Sequence, residues 1–452
     1  MDGQDFPAIR ELGLIGDRRT AALVTQQGDI VWYCPGRFDY PSLFAPLLDL
    51  DKGGFWSVEL PDATFSRRQY LEDSGILETT LATPSGELHI TDWMPLGNDL
   101  PHGICRQFSA APAELTLTLQ PDPDYGRRSA KLEFQGQGIE IDRQHYLYAS
   151  HPLKIQNGQI GCQIPQGETG WCLLLDSALT GPAAPLLNSW LEATLEQWRQ
   201  ITAHATYHGP YEAEVAASIR ALRLLTFAEN GGIIAAPTLS LPEVIGGQRN
   251  YDYRYVWLRD AGMIVSVLTR IGSDGTEERR FLEFICGYDR NSDSQPLMPF
   301  SNLEGQPAPA EQTLDLAGYR HSAPVVMGNA AKDQLQLDAY GNVLLAAKLI
   351  YNRFDTREHW SLVEQIADFL TEHWRDPDYG IWEEQQTDQY TSGKVVVACG
   401  LKFIADVTED PEQAERWRSV EQDIRDYVAH HCLTSEGAYA VVAGSEEVDV
   451  TA

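Results

Sequence analysis

The sequence of 452 residues has few basic residues, 34 Lys and Arg against 65 Asp and Glu, and its formal net charge is −31. This charge makes polyanions such as nucleic acids poor partners, whereas neutral ligands such as sugars feel little repulsion from it. No run of about 18 apolar residues occurs. The first residues lack a basic start followed by an apolar stretch, so the sequence predicts a soluble cytoplasmic protein without a membrane segment.

Signatures of metal and cofactor chemistry are also missing. The seven cysteines are far apart, odd in number and without a CxxC pair, which argues against a disulfide framework and a zinc site. We find no phosphate-binding loop, no GxSxG, no HExxH and no dinucleotide fingerprint. The sequence therefore predicts an enzyme or binding protein that uses neither a metal nor a cofactor.

Short alternating segments fill the first part of the chain, from Thr20 to about Ala178. Stretches such as AALVTQQGDIVWY and ELTLTLQP alternate apolar and polar residues and are broken by Gly, Pro, Asp and Asn. A period of two is typical of antiparallel strands with one solvated face. The sequence predicts an N-terminal β-sandwich domain, to which we assign residues 1–180.

Helical spacing replaces this alternation after the PAAP turn. The stretch NSWLEATLEQWRQITAHA predicts a linker helix within residues 181–209. We assign residues 210–452 to a helical catalytic domain with long, aromatic-rich connections, which are usually functional. Seven helices are predicted there, near residues 212–229, 259–271, 276–287, 333–351, 356–374, 394–407 and 410–431.

The first cluster with chemical potential is RNYDYRYVWLRDA, at the end of a longer segment, 231–262. Sugar binding needs its mixture of residues, because aromatic faces stack on a pyranose and planar charged groups bond to pairs of hydroxyls. Arg259 and Asp260 equally fit a structural ion pair at a helix start, where the helix dipole favours an acid. The cluster contains Tyr251, Tyr253, Tyr255 and Trp257 together with Arg249, Arg254, Arg259 and Asp260.

The second cluster is HWRDPDYGIWEEQQ, residues 373–386, in a loop after an amphipathic helix. Glu383 and Glu384 follow Trp382 there. An acid shielded by a large aromatic side chain can stay protonated near neutrality, as a general acid for a glycosidic oxygen must. A pair of solvated glutamates beside a core tryptophan gives the same triplet, so the motif alone does not decide.

The third cluster is GYRHSAPVVMGNAAKDQLQLDAYGNVL, residues 318–344, a loop that leads into a helix. Four polar side chains at its entrance have groups suited to sugar hydroxyls, although such residues more often cap helices and bridge loops. These residues are Tyr319, Arg320, Asn329 and Gln334.

Jointly and in this order, the three clusters resemble glycoside hydrolase family 15, the glucoamylase-like and trehalase-like enzymes, in its bacterial and archaeal branch. The opening IRELGLIGDRRTAALVTQQGDIVWY and the landmarks GGIIAAPTLSLPE, GNAAKDQLQLDAYG and GIWEEQ extend the resemblance over the chain. It implies a multidomain β + α fold, with an antiparallel β-sandwich followed by an (α/α)6 barrel. It also implies an exo-acting, inverting hydrolase that releases β-glucose from an α-linked gluco-oligosaccharide or from trehalose.

The resemblance assigns roles residue by residue. Glu383 matches the general acid, Arg259 and Asp260 match the residues that grip the terminal glucose, and Tyr253 matches an aromatic residue near the reacting carbon. The other substrate-binding residues predicted in this way are Trp257, Trp382 and Glu384.

The second carboxylate of an inverting enzyme, which activates water on the face opposite the acid, is not identified in the sequence. An (α/α)6 barrel has six helix pairs, and only seven helices are predicted, so we expect an incomplete barrel with the general base beyond Ala452. The hydrophobic faces of the early helices are then expected to lie open.

Three functions stay open from the sequence. The first is a hydrolase of the glucoamylase, glucodextranase or trehalase type, which the loops do not separate. The second is a truncated, non-catalytic carbohydrate-binding homologue, which the unidentified base favours. The third is a phosphorylase of similar architecture, which needs a basic phosphate pocket that the sequence does not show.

Overall fold

A computed structural model describes residues 6–288 and 296–451 of the chain. Strands make up the first part and helices most of the remainder. The strands of the first part are β1 Gly13–Gly16, β2 Ala21–Val24, β3 Ile30–Tyr33, β4 Phe55–Glu59, β5 Thr64–Tyr70, β6 Leu77–Thr83, β7 Gly86–Trp93, β8 Gly103–Phe108, β9 Leu115–Gln120, β10 Leu132–Gln135, β11 Gly138–Ile141, β12 His145–Ala149, β13 Leu153–Gln156, β14 Gln159–Ile164 and β15 Gly170–Leu175.

These strands form two antiparallel sheets that face each other. One sheet has the order β1, β2, β3, β4, β9, β14, β13, and the other has the order β10, β11, β12, β15, β8, β7, β6, β5. Their inner faces carry alternate apolar residues, as in β9, whose leucines are buried and whose polar residues are partly exposed. The predicted antiparallel β-sandwich is confirmed.

Strands β2 and β3 are buried along their whole length. Ala22 and Val24 join the sandwich core, whereas Leu23 points the other way and packs in a cluster with Leu239 and Val325 from later loops. The prediction of one solvated face is therefore wrong for these two strands. Loops of the helical part cover their outer face, so the sandwich supports those loops.

The helical part begins with a helix that covers the outer face of the second sheet, where Leu187 and Trp190 pack on Trp93 and Leu173. Four short strands in the loops are β16 Val256–Trp257, β17 Phe300–Ser301, β18 Gln312–Leu314 and β19 Val325–Met327. The helices are α1 Ala184–Thr202, α2 Glu212–Leu224, α3 Leu258–Ile271, α4 Thr276–Cys286, α5 Leu337–Phe354, α6 Trp360–His373, α7 Thr391–Ala405 and α8 Pro411–His431.

The linker helix and the seven later helices are confirmed, with ends that differ from the predicted ones by a few residues. Helix α5 begins at Leu337 rather than 333, because the preceding residues form a separate 3-10 turn, Ala330–Asp333, capped by the Asn329 side chain. The domain boundaries drawn from the sequence stay predictions. In the described ranges, no helix combines the length and the apolar character needed to cross a membrane.

Glycines let α5 approach its two neighbours, α3 and α7, closely. A Cβ atom at Gly341 of α5 would lie 2.8 Å from the backbone oxygen of Val396 in α7. A Cβ atom at Gly262 of α3 would lie 3.0 Å from backbone atoms of Asn342 in α5. These close crossings fix the mutual positions of the three helices, and the site described below lies at the starts of α3 and α5 and in the loop that precedes α7.

Substitution of Gly341 by alanine is expected to destabilise the helical part. The added methyl group would meet backbone atoms of α7, and overpacking of this kind costs about 1–3 kcal/mol. Urea unfolding followed by far-ultraviolet circular dichroism measures this loss. Gly161→Ala in β14 is the control, because a Cβ atom there meets nothing within 4 Å. Equal stability of both variants would contradict the close crossing.

Candidate active site

The candidate active site lies where the starts of α3 and α5 meet the loop that precedes α7. Arg259 and Asp260 lie in the first turn of α3, and Gln336 immediately precedes α5. Glu383 lies in the loop between α6 and α7. Hydrogen bonds between the side chains of Arg259, Gln336 and Glu383 join the three segments.

The carboxyl group of Glu383 accepts three hydrogen bonds on a single oxygen. The donors to Oε1 are Trp257 Nε1 at 2.6 Å, Gln336 Nε2 at 3.1 Å and Arg259 Nη2 at 3.2 Å. The side chain of Glu383 is 14% exposed, so the group is held tightly and yet remains accessible. Because Oε1 is occupied as an acceptor, a proton on this carboxyl group resides on Oε2.

The turn that carries Glu383 depends on an unusual backbone conformation. Glu383 has a left-handed φ of 53°, and Gly380 has a φ of 64°. A Cβ atom at Gly380 would lie 2.8 Å from the ring of Tyr390, so the loop packs there only with glycine. Non-glycine residues in this conformation are strained and cluster at functional sites.

Asp378 and Asp388 close the base of the same loop. Their backbone N–H and C=O groups bond to each other at 3.0 and 2.9 Å, and Asp378 Oδ2 accepts the Leu337 N–H at 3.1 Å. The loop is thereby tied to the first residue of α5. Burial raises the pKa of Asp378 to about 7, and the nearby Lys394 opposes this shift.

Arg259 lies at the centre of the contacts of the site and is almost fully buried. Its guanidinium lies 3.2 Å from Glu383, 3.5 Å from Asp260 and 3.5 Å from Asp338. It also donates to Gln336 Oε1 at 3.1 Å. One positive charge therefore faces three carboxyl groups, two from helix starts and one from the loop.

The pKa values of the two carboxyl groups at the helix starts, those of Asp260 and Asp338, are both raised. Burial raises the pKa of Asp260 and of Asp338, and the charge of Arg259 opposes the shift in both cases. The side chain of Asp260 is 39% exposed, so its carboxylate is open to a ligand, whereas that of Asp338 is 3% exposed. Of the two, only Asp260 can bond directly to a sugar hydroxyl.

Aromatic rings form one wall beside Glu383. Trp257 is buried and stacks on Phe300 at a centroid distance of 4.2 Å, and the rings of Tyr253 and Tyr255 lie at 5.6 and 6.3 Å from it. Tyr251 continues the row, 6.1 Å from Tyr253. Burial raises the pKa of Tyr253, so its hydroxyl keeps a proton to donate. Trp257 contributes its N–H rather than an open ring face.

The segment that carries these rings alternates between the site and the sandwich, as an extended chain does. Arg254 donates from Nε and Nη2 to Asp252 at 2.9 and 2.8 Å, and from Nη1 to the Tyr40 backbone oxygen at 2.9 Å. Arg254 and Asp252 have no exposed side-chain surface. Arg254, although part of the predicted sugar-binding cluster, is therefore an anchor that no ligand reaches.

Trp382 and Glu384 lie at the periphery of this arrangement. Trp382 is 49% exposed, and its indole N–H donates to Asp449 Oδ2 at 2.9 Å. Glu384 Oε2 accepts from Arg249 Nη2 at 3.2 Å. The indole that bonds to Glu383 is therefore Trp257, not the residue next to Glu383 in the sequence.

The structure thus brings Glu383, Arg259, Asp260, Tyr253 and Trp257 together, with Trp382 and Glu384 beside them. Two further members of the site, Gln336 and Asp338, were not predicted from the sequence, and both are buried where α5 begins. The signal that could have indicated them is the segment QLQLDAYG, in which polar residues precede an apolar helix.

Of the four polar residues predicted at the entrance of the third cluster, two have structural roles and one contacts a residue of the site. Tyr319 is buried and donates to the Pro7 backbone oxygen at 2.8 Å, and Asn329 caps the 3-10 turn before α5. Gln334 Oε1 accepts from Gln336 Nε2, the same amide group that donates to Glu383. Arg320 is exposed and lies over the ring of Tyr319.

Comparison with known proteins links both parts of the chain to sugar enzymes. The family profile described as Glycosyl hydrolases family 15 matches residues 209–451, and the profile described as Trehalase-like, N-terminal matches residues 1–156. A trehalase of Mycolicibacterium smegmatis is 30% identical over 497 residues, covering 99% of this chain and 73% of the relative. A trehalase of Thermoplasma volcanium is 28% identical over 474 residues, covering 99% and 75%.

Among solved structures, a bacterial glucoamylase complexed with acarbose has a TM-score of 0.67 and 13% sequence identity. The match covers 100% of this chain and 73% of the glucoamylase chain. At this identity the likeness shows the fold alone, a β-sandwich followed by the helices of an α/α barrel.

Removal of the Asp378 carboxyl group is expected to flatten the pH dependence of stability. An aspartate in the unfolded chain has a pKa of about 3.9. The folded state therefore holds the Asp378 proton more tightly, and this stabilisation, at most about 4 kcal/mol, is lost as pH rises through about 7. Urea unfolding of the parent and Asp378→Asn between about pH 4 and 8 measures the difference.

Asp388→Asn serves as the matched control, because Asp388 is the exposed partner in the same backbone bridge. We expect it to keep the pH dependence of the parent. If Asp378→Asn also kept that dependence, the buried carboxyl group would not be its source.

Proposed function

Because the chain belongs to the glycosyl hydrolases of family 15, and is therefore a glycoside hydrolase, we propose that it hydrolyses trehalose by an exo-acting, inverting mechanism. The observation that carries the proposal is the clustering of three donors on Oε1 of Glu383 beside the Arg259 and Asp260 pair. Trehalose is favoured as substrate by the trehalases that align over 99% of this chain.

Glu383 is the proposed general acid. Its Oε1 is held by Trp257, Gln336 and Arg259, so the transferable proton lies on Oε2. In the reaction, the bond between the anomeric carbon and the glycosidic oxygen breaks, and that oxygen takes the proton of Glu383. Water attacks the anomeric carbon from the opposite face, so the configuration inverts.

The terminal glucose is proposed to bind between the charged floor of the site, formed by Arg259 and Asp260, and the aromatic rings. Asp260 accepts hydrogen bonds from sugar hydroxyls, while Arg259 fixes Asp260 in place and donates to the sugar. Tyr253 and the exposed ring of Trp382 supply the apolar surface on which a pyranose stacks. Recognition of a terminal residue in this way makes the enzyme exo-acting.

The general base is assigned to none of the described residues. Inversion requires a second carboxylate about 6.5–9.5 Å from the acid, with room for water between them. Asp260 and Asp338 are both engaged by Arg259, which leaves neither free to activate water.

The charges around Glu383 favour water over phosphate as the attacking group. Three carboxyl groups face the one guanidinium of Arg259, and Arg249, which lies beside Glu384, is paired with that acid. A phosphorylase needs a net positive pocket for its second substrate. The phosphorylase alternative is therefore the weaker one.

The initial anomers of the glucose released from trehalose test the mechanism. Trehalose joins two α-glucose units, so inversion releases one β-glucose and one α-glucose, whereas retention releases two α-glucose molecules. Proton NMR before mutarotation distinguishes the two results. Maltotetraose and isomaltose are the comparison substrates, and faster release of β-glucose from either would replace trehalose as the substrate. A folded chain that releases none would favour the non-catalytic, carbohydrate-binding alternative.

Substitution of Glu383 by glutamine is expected to reduce kcat by about 10²–10⁴-fold, because an amide cannot donate the proton. Glu384→Gln is the matched control, since it makes the same change one residue away in a side chain that contacts Arg249 instead. We expect Glu384→Gln to act mainly on KM. Retention of the parent kcat by Glu383→Gln would remove Glu383 from the mechanism.

A further inference from the structure

Asp338 is a buried acid that the proposed mechanism does not use. Its side chain is 3% exposed, and among the described residues its carboxyl oxygens make no close, well-aligned hydrogen bond; the groups that favour its charged form are Arg259 and the Ala339 backbone N–H. The contact that balances it is the ion pair of Oδ2 with Arg259 Nη1 at 3.5 Å. A buried carboxylate with so few partners costs stability, so its presence at this position calls for another explanation.

Helix capping does not explain why Asp338 is buried. Asp338 lies in the first turn of α5, where an acid favours the helix, but the side chain that accepts a backbone N–H at this helix start is that of Asp378. An exposed acid would give the same dipole interaction without being desolvated. The burial of Asp338 is explained by the position of Arg259 instead.

The guanidinium of Arg259 is the charge that most directly opposes protonation of Glu383, at 3.2 Å from Oε1. A nearby cation favours the ionised form of a carboxyl group, whereas a general acid must start the reaction protonated. A second anion on the same guanidinium offsets this effect. Asp338 is such an anion, and it is held where neither substrate nor water reaches it.

We propose that Asp338 is a positioning residue that fixes Arg259 and offsets its charge, so that Glu383 keeps the proton it donates. This inference rests on the proposed function. The other titratable groups that face Glu383 are Asp260 on α3 and the hydroxyls of Tyr251 and Tyr253 on the aromatic segment. These groups remain in place when Asp338 is substituted, and of the three only Asp260 has a pKa that the charge of Asp338 helps to raise.

The pH profile of kcat/KM for trehalose tests the charge effect. In Asp338→Asn, the alkaline limb of the profile is expected to move to lower pH by about one unit, with activity lost about tenfold above it. Asp333→Asn is the control, because it removes the same charge from an exposed position five residues earlier. A uniform loss of activity with no movement of the limb would show a merely structural role and overturn the proposal.

A double-mutant cycle tests the ion pair without activity. Urea unfolding of Asp338→Asn, Arg259→Gln and the double variant should reveal a coupling of at least about tenfold in the unfolding equilibrium constant. Zero coupling would overturn Asp338 as the counter-ion whether or not the chain is active. By contrast, full hydrolysis by Glu383→Gln would reject the proposed acid while leaving the coupling intact, so the two failures are distinguishable.

Discussion

The ion pairs of one buried guanidinium organise the candidate site. Arg259 is long and planar, with donors on several edges, so it can contact separate segments at once. It reaches Asp260 on its own helix, Gln336 and Asp338 at the start of α5, and Glu383 on the loop before α7. Removal of this single side chain would leave three carboxyl groups close together without a counter-charge.

The reach of Arg259 depends on how closely the helices pack and on what supports the aromatic segment. Gly341 and Gly262 leave no room for side chains at the helix crossings, which brings the helix starts within contact distance. Behind the site, Arg254 and Asp252 anchor the same segment that presents Tyr253 on its other side. The β-sandwich therefore contributes to the site indirectly, by fixing the segment from which the rings project.

Local periodicity predicted the sandwich and the eight α-helices that lie within the described residues, because strand and helix periods are properties of neighbouring residues. Glu383 and Arg259 were singled out through the resemblance that the three clusters show jointly, since neither short motif decides alone. The aromatic partner of Glu383 was not predicted correctly. The backbone at Glu383 is left-handed, and the indole that donates to its carboxyl group is that of Trp257, which is distant in sequence, rather than that of the adjacent Trp382. Asp338 was missed for a related reason, since burial of a polar group at a helix start is a property of the folded chain alone.

The local charge balance at the site also bears on which sugars it can accept. With Asp260 and Asp338 ionised and Glu383 carrying the proton that it is proposed to donate, the groups around Arg259 carry one more negative charge than positive ones. Two like charges about 4 Å apart repel by roughly 4 kcal/mol at an effective dielectric constant near 20. A phosphorylated sugar bound against this floor would meet that repulsion, in addition to the field of a chain whose formal net charge is −31. A neutral disaccharide avoids both, and its hydroxyls can donate to the exposed carboxylate of Asp260, which an anion would be repelled by.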